Sequence, residues 1–269
     1  MRGTNSRLAL TTLVTVLLLF SGAAWAQSYT PGSGFTNSPH DFSGIAAGNT
    51  GNPTATTGGC TFCHTPHRAQ QQSLLWNHTL SSNTYSWDAG AVTAGGTPYP
   101  TIDTTWKGPT KLCLSCHDGS VAIGDIAWFN KQAWTGAAAL DPTTHDVDVF
   151  NIADPTTGNM SGNHPVAFPY PFQQTTTNTY NGVTTGANTF TADFNPDPTS
   201  LGIRLFNDNA GNISAGAVAG STGIECTSCH GVHNERGLVH DQPLLRGTLG
   251  GSGTGPGASY ICQKCHDRG

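Results

Sequence analysis

The apolar positions of this 269-residue chain are distributed unevenly. Leu8–Phe20 is a largely apolar stretch of 13 residues, preceded by Arg2 and Arg7 and followed by the small-x-small site Ala24-Trp25-Ala26. Spanning a bilayer takes ~20 residues, so the pattern reads as a secretory signal peptide cleaved after Ala26. Residues 27–269 are then the mature chain. It is expected to form one exported domain, at the cell surface or outside the cell, with the periplasm as the alternative.

Beyond residue 26 no helical periodicity lasts three turns. Gly- and Thr-rich stretches such as Gly44–Gly59 and Gln173–Asn188 interrupt every candidate. Short helices are expected at Ala69–His78 and Lys111–Cys116, and a polar hairpin at Tyr180–Phe194 turning on Asn181-Gly182. Gly250–Gly257 reads as a flexible connector. The fold class is therefore mostly irregular coil with short helices and a few short strands.

Composition changes this picture in one respect. Only 10% of residues are charged and large aliphatics are few, yet the chain holds 6 Trp, 11 Phe and 6 Tyr. Disordered sequences lack aromatics. An aromatic-bearing, loop-rich chain is expected to organise around something it binds. Without Arg2 and Arg7 the mature chain keeps 9 basic against 16 acidic residues, a net charge of −7, and shows no basic patch for nucleic acid.

All eight cysteines fall in four CxxCH units: Cys60/Cys63/His64, Cys113/Cys116/His117, Cys226/Cys229/His230 and Cys262/Cys265/His266. CxxCH is the attachment signature of c-type haem. Two thiols at this spacing form thioethers to the two porphyrin vinyls, and the adjoining histidine ligates iron. Zinc sites pair two Cys knuckles into one tetrahedral set, disulfides need no histidines, and a redox CxxC expects a βαβ setting. None of these explains a histidine after every pair. Four covalently bound haem c groups are the expected cofactors, and the domain is expected to be organised around them. Residues 118–225, between the second and third motifs, form a haem-free insert.

Seven histidines remain for the opposite faces: His40, His67, His78, His145, His164, His233 and His240. Past the initiator, Met160 is the one methionine, so at least three haems are expected to be bis-histidine if six-coordinate. His67 and His233 stand three residues after a proximal histidine, too near to pass around their own macrocycle, so each is assigned to another haem. His164, in GNHPV, and His40, in SPHDFS, are presented from proline-flanked loops. These four complete the expected axial set. His78, His145 and His240 read equally well as polar loop residues.

SPHDFS, CTFCHTPH, LLWNH, LCLSCHDGSVA, NHPV, ECTSCHGVH and CQKCH, in this order, resemble the multihaem c-type cytochromes of metal-reducing bacteria, nearest to the OmcE-type tetrahaem cytochromes that polymerise into extracellular filaments. The resemblance implies bis-histidine ligation throughout, a continuous haem stack, and an axial histidine donated across the subunit boundary. His40, near the mature N-terminus, is the residue placed for that role.

The expected function is electron transfer rather than catalysis. Saturated irons leave no substrate site, and all four motifs are ordinary CxxCH. The leading reading is a homopolymer subunit passing electrons to redox proteins or extracellular acceptors. The alternatives are a soluble tetrahaem shuttle and a multihaem reductase with one five-coordinate iron.

Overall fold

The computed structural model describes residues 32–36, 38–42, 59–67, 69, 73–88, 90–93, 96–121, 151–174, 177–185, 193–235, 244–250 and 260–267. The signal peptide, His145, His240 and the 251–257 part of the connector lie outside them. No helix among the described residues is long and apolar enough to cross a membrane.

Regular structure is sparse, as the interrupted periodicity predicts. The helices are α1 (Pro109–His117), α2 (Cys226–Cys229) and α3 (Ile261–Cys265), and each carries a cysteine pair. The strands are β1 (Phe168–Pro169), β2 (Asn178–Tyr180), β3 (Val183–Thr185), β4 (Phe206–Asn209), β5 (Asn212–Ala215) and β6 (Thr222–Ile224). All six fall inside the 118–225 insert. An antiparallel sheet runs β1-β6-β4-β5, with Phe168 opposite Ile224 and Phe206 opposite both Gly223 and Ala215.

Helix α1 begins where Pro109 sits at its first turn, a position whose N–H would be orphaned in any case. It extends the expected Lys111–Cys116 segment at both ends, and Leu112 and Leu114 are buried. The hairpin expected at Asn181-Gly182 is β2–β3, whose central φ values of 48° and 69° suit a type I′ turn. It closes at Thr185, and residues 186–192 lie outside the description.

The helix expected at Ala69–His78 is a correction. The described part holds one 3-10 turn, Ser73–Leu75, with φ of 56° at Leu74 and 53° at Leu75. Long-range pairing overrides the local preference here. Thr65 N–H donates to the Leu75 carbonyl, and Asn77 N–H donates to that of Cys63, each at 2.9 Å.

Two apolar clusters hold the parts together. Tyr85, Ile102, Trp106 and Leu114 pack with Met160, Ala167, Tyr180 and Phe206, joining the α1 region to the insert. Tyr170, Phe172, Ile203, Leu205, Leu245 and Ile261 form the second, beneath α3. Central strand β6 runs through Glu225 directly into α2, so the sheet delivers the third motif.

Candidate haem-attachment centres

Each CxxCH folds as one helical turn. His64, His230 and His266 donate their backbone N–H to the carbonyls of Cys60, Cys226 and Cys262 at 2.8, 3.0 and 2.9 Å. The second motif is the last turn of α1. Positions i, i+3 and i+4 of such a turn share one face, so two sulfurs and one imidazole project together.

Neighbouring structure pins each turn. Asn77 Nδ2 donates to the Thr61 carbonyl at 2.6 Å, and Trp76 Nε1 reaches Ser115 Oγ at 3.3 Å, tying the first motif to the second. Helix α2 has a capping box, in which Ser228 Oγ accepts from Glu225 N–H at 2.9 Å and the Glu225 carboxylate caps the Ser228 N–H. The fourth motif leans on the insert: Asn195 N–H donates to the Cys265 carbonyl at 2.9 Å, and Tyr170 Oη donates to that of Asn195 at 2.5 Å.

The four cysteine pairs follow one another in space in their sequence order. Cys63 acts on Cys116, Cys113 hydrogen-bonds Cys226, and Cys229 lies within electrostatic reach of Cys262 and Cys265. Burial pushes the thiols of Cys63 and Cys229 up to about 11 and those of Cys116 and Cys265 up to about 12. Among the described residues no three His, Cys, Asp or Glu side chains converge as a zinc site needs.

Three proximal histidines face three of the expected distal ones. The ring centres of His40 and His117 are 5.9 Å apart, those of His64 and His233 6.4 Å, and those of His164 and His266 6.3 Å. A metal held between two imidazoles at ~2.0–2.1 Å per bond separates the ring centres by about 6 Å. The donor set therefore fits an iron ligated on both faces, and the paired thiols fit thioether attachment of its porphyrin.

The ring nitrogens are prepared for the same role. A carbonyl oxygen can only accept, so His64 Nδ1 donates to the Leu74 carbonyl at 2.7 Å and His164 Nδ1 to that of Pro165 at 2.8 Å. His40 and His230 hydrogen-bond the backbone of Val232 and Leu244. A ring tied through Nδ1 leaves the Nε2 lone pair for a metal. Burial, then the His117 ring, lowers His40 to about 4, and burial likewise lowers His230 and His266. Each shift favours the neutral imidazole that ligation requires.

The backward-facing carbonyl of Leu74 explains the left-handed backbone at that turn. A leucine at positive φ is an outlier, and such strain gathers where geometry serves a site. Here it aims an acceptor at His64.

The histidines differ in exposure. All eight candidate ligands, His40, His64, His67, His117, His164, His230, His233 and His266, are half-buried or exposed, whereas His78 is 1% exposed with Nδ1 on the Thr79 carbonyl. Met160 is equally enclosed, in the first apolar cluster.

The fourth pair is not assembled among the described residues. His67 stands exposed at a turn where Thr65 Oγ1 donates to its carbonyl. His230 has His117 and His40 within electrostatic reach, but no ring of the described residues faces it. His40 packs beside His117. Its arm is held where Gly34 N–H donates to the Asn234 carbonyl at 3.1 Å and Asn234 Nδ2 to that of Gly34 at 2.8 Å, and Phe42 stacks on Phe62 at 4.2 Å.

Four buried polar residues that brace the motif turns were not visible beforehand: Glu225, Asn234, Arg246 and Lys264. The capping box ahead of α2 has Glu at the N-cap and Ser at N3, the reverse of the usual signature, so it left no clear sequence signal. No protein-family model matches the chain, and no curated protein matches it.

Proposed function

We propose that this protein is an exported tetrahaem c-type cytochrome that carries electrons along a row of haems. The reading rests on one observation above all: three CxxCH histidines each face a second histidine at the separation two axial ligands require. Haem, when bound, supplies the reversible one-electron chemistry. The chain's own residues do the rest. The eight cysteines anchor the groups, and the four helical turns orient them. The Nδ1–carbonyl bonds fix the tautomers of His64 and His164.

The spatial order of the cysteine pairs supports a path from the first motif to the fourth. The fourth distal ligand falls to His67 by count, opposite His230. Histidines on both faces leave no iron open to substrate, which favours electron transfer over catalysis.

We infer further that copies of the chain associate end to end into an extracellular filament. This rests on the resemblance to filament-forming tetrahaem cytochromes and on the exposure of His67 and His230. Histidine donation between subunits then uses the His67–His230 pair, or an exchanged arm carrying His40. Imaging of secreted, haem-containing material tests the assembly: uniform filaments are expected, and monomers alone would leave the shuttle as the function.

A further inference from the structure

Charge is distributed asymmetrically along the row of attachment motifs. Lys264 lies between the two cysteines of the fourth motif, 4% exposed, and its ammonium donates to the Arg246 carbonyl. Arg246 is itself 5% exposed, and its Nε donates to the carbonyls of Thr227 at 3.1 Å and His230 at 3.3 Å, inside the third motif. Arg246 N–H also holds the Cys229 carbonyl at 2.7 Å. Both cations therefore stand between the third and fourth motifs, and both act on Cys229.

One carboxylate offsets them. Glu235 accepts from Arg246 at 2.7 Å and shares its charge with Arg204 at 3.6 Å. Among the described contacts no carboxylate pairs with Lys264. Asp267 and Asp193 are near His266, but Asp267 is exposed and Asp193 partly so, where water screens them. Two buried cations, Lys264 and Arg246, thus have one half-buried carboxylate in direct contact, and Arg204, like Asp267, is exposed.

The second motif carries no such excess of buried cations. Asp118 follows His117 and is buried, accepting from Tyr85 Oη at 2.6 Å, Ser120 Oγ at 2.7 Å and Asn83 Nδ2 at 3.3 Å. Glu225, 1% exposed, lies between the second and third motifs: it accepts from the Thr110 N–H at 2.9 Å in the first turn of α1 and directly precedes Cys226, so it acts on both. Lys111 is the one cation there, with its ammonium on the Asn83 carbonyl at 2.7 Å and over the Tyr85 ring at 4.7 Å.

A reduced haem carries one positive charge less than an oxidised one. Buried cations therefore favour reduction and buried carboxylates oppose it, with little screening in a low-dielectric interior. We propose that Lys264 and Arg246 hold the haems of the third and fourth motifs at higher potential than the haem of the second, making the C-terminal end of each subunit the electron-accepting end. Lys264 is a positioning residue in the electrostatic sense, since it touches neither iron ligand. The proposal rests on the tetrahaem reading.

The test is a haem-resolved redox titration of the haem-loaded protein, after its mass has established four attached haems. Lys264→Met should shift the haems bound at Cys226/Cys229 and Cys262/Cys265 to lower potential and leave the one at Cys113/Cys116 in place. Lys264→Arg should restore the curve. Glu235→Gln, outside the motifs, should move the same two haems the other way, and it keeps the test open if Lys264→Met fails to load. Superimposable curves, or a uniform shift of all four haems, would overturn the proposal. A mass with fewer than four haems would instead overturn the tetrahaem reading, and the proposal with it.

Discussion

The imidazoles of His64 and His233 face each other at 6.4 Å although they belong to different CxxCH segments. His64 closes the first attachment turn; His233 follows the third by three residues. On the proposed tetrahaem reading, one short segment, CHGVH, would present a proximal ligand to one haem and a distal ligand to another, setting two cofactors side by side without long helices.

Replacing the distal partner should expose a single iron. His233→Ala is expected to convert one low-spin haem to high-spin, with the haem attached at Cys60 and Cys63 the one affected. Ferric electron paramagnetic resonance reads the change. His78→Ala should create no high-spin haem, and its cost should be in stability, because that ring is enclosed in protein.

Glu225 gives a pH signature. Burial pushes its carboxyl from 4.5 up to about 7, against hydrogen bonds from Thr110 and Tyr180 Oη. A carboxyl raised in the folded state binds its proton more tightly there than in the unfolded chain. Its contribution is fully present below pH ~4.5 and is lost as pH rises through about 7, by up to about 3 kcal/mol. Denaturant unfolding across this window should show stability falling with pH, and Glu225→Gln should flatten the slope.

Asn234 ties the arm that carries His40 to the loop after the third motif. Asn234→Ala removes the side-chain bonds to Gly32 and Gly34 and should destabilise the arm by ~1–3 kcal/mol. Limited proteolysis should then cut near residues 32–42 sooner than in the parent protein. If His40 serves its own chain, the haem at Cys113/Cys116 should also show partial loss of its second ligand.

The chain without haem should not reach this fold. Its apolar clusters are small, and the regular elements that carry motifs span only a few residues each. Replacing all eight cysteines by serine should leave a chain whose far- and near-ultraviolet circular dichroism lacks a cooperative melt. A cooperative transition in that variant would contradict a haem-organised interior.

Much of the site was legible because its chemistry is local. CxxCH fixes two thiols and a ring within one turn, and the spacing argument for His233 needed only chain length. The β2–β3 hairpin was legible for the same reason, since Asn181-Gly182 encodes its own turn. The β4–β5 hairpin turns on Ala210-Gly211, a weaker signal, with both residues at positive φ. The missing helix at Ala69–His78 shows the limit of local reading, since its conformation is set by Thr65 and Cys63 across the first motif. Arg246 and Lys264 were invisible for a related reason. Their weight comes from burial between two motifs, and sequence alone does not show which lysine is enclosed.

The central claim is that four haems are bound, each between two histidines. Intact mass of the exported protein, taken together with ferric electron paramagnetic resonance of the same sample, tests it most directly. The account predicts a mass equal to residues 27–269 plus four haems and a spectrum that is low-spin throughout. Fewer attached haems, or a high-spin ferric signal in the parent protein, would contradict it.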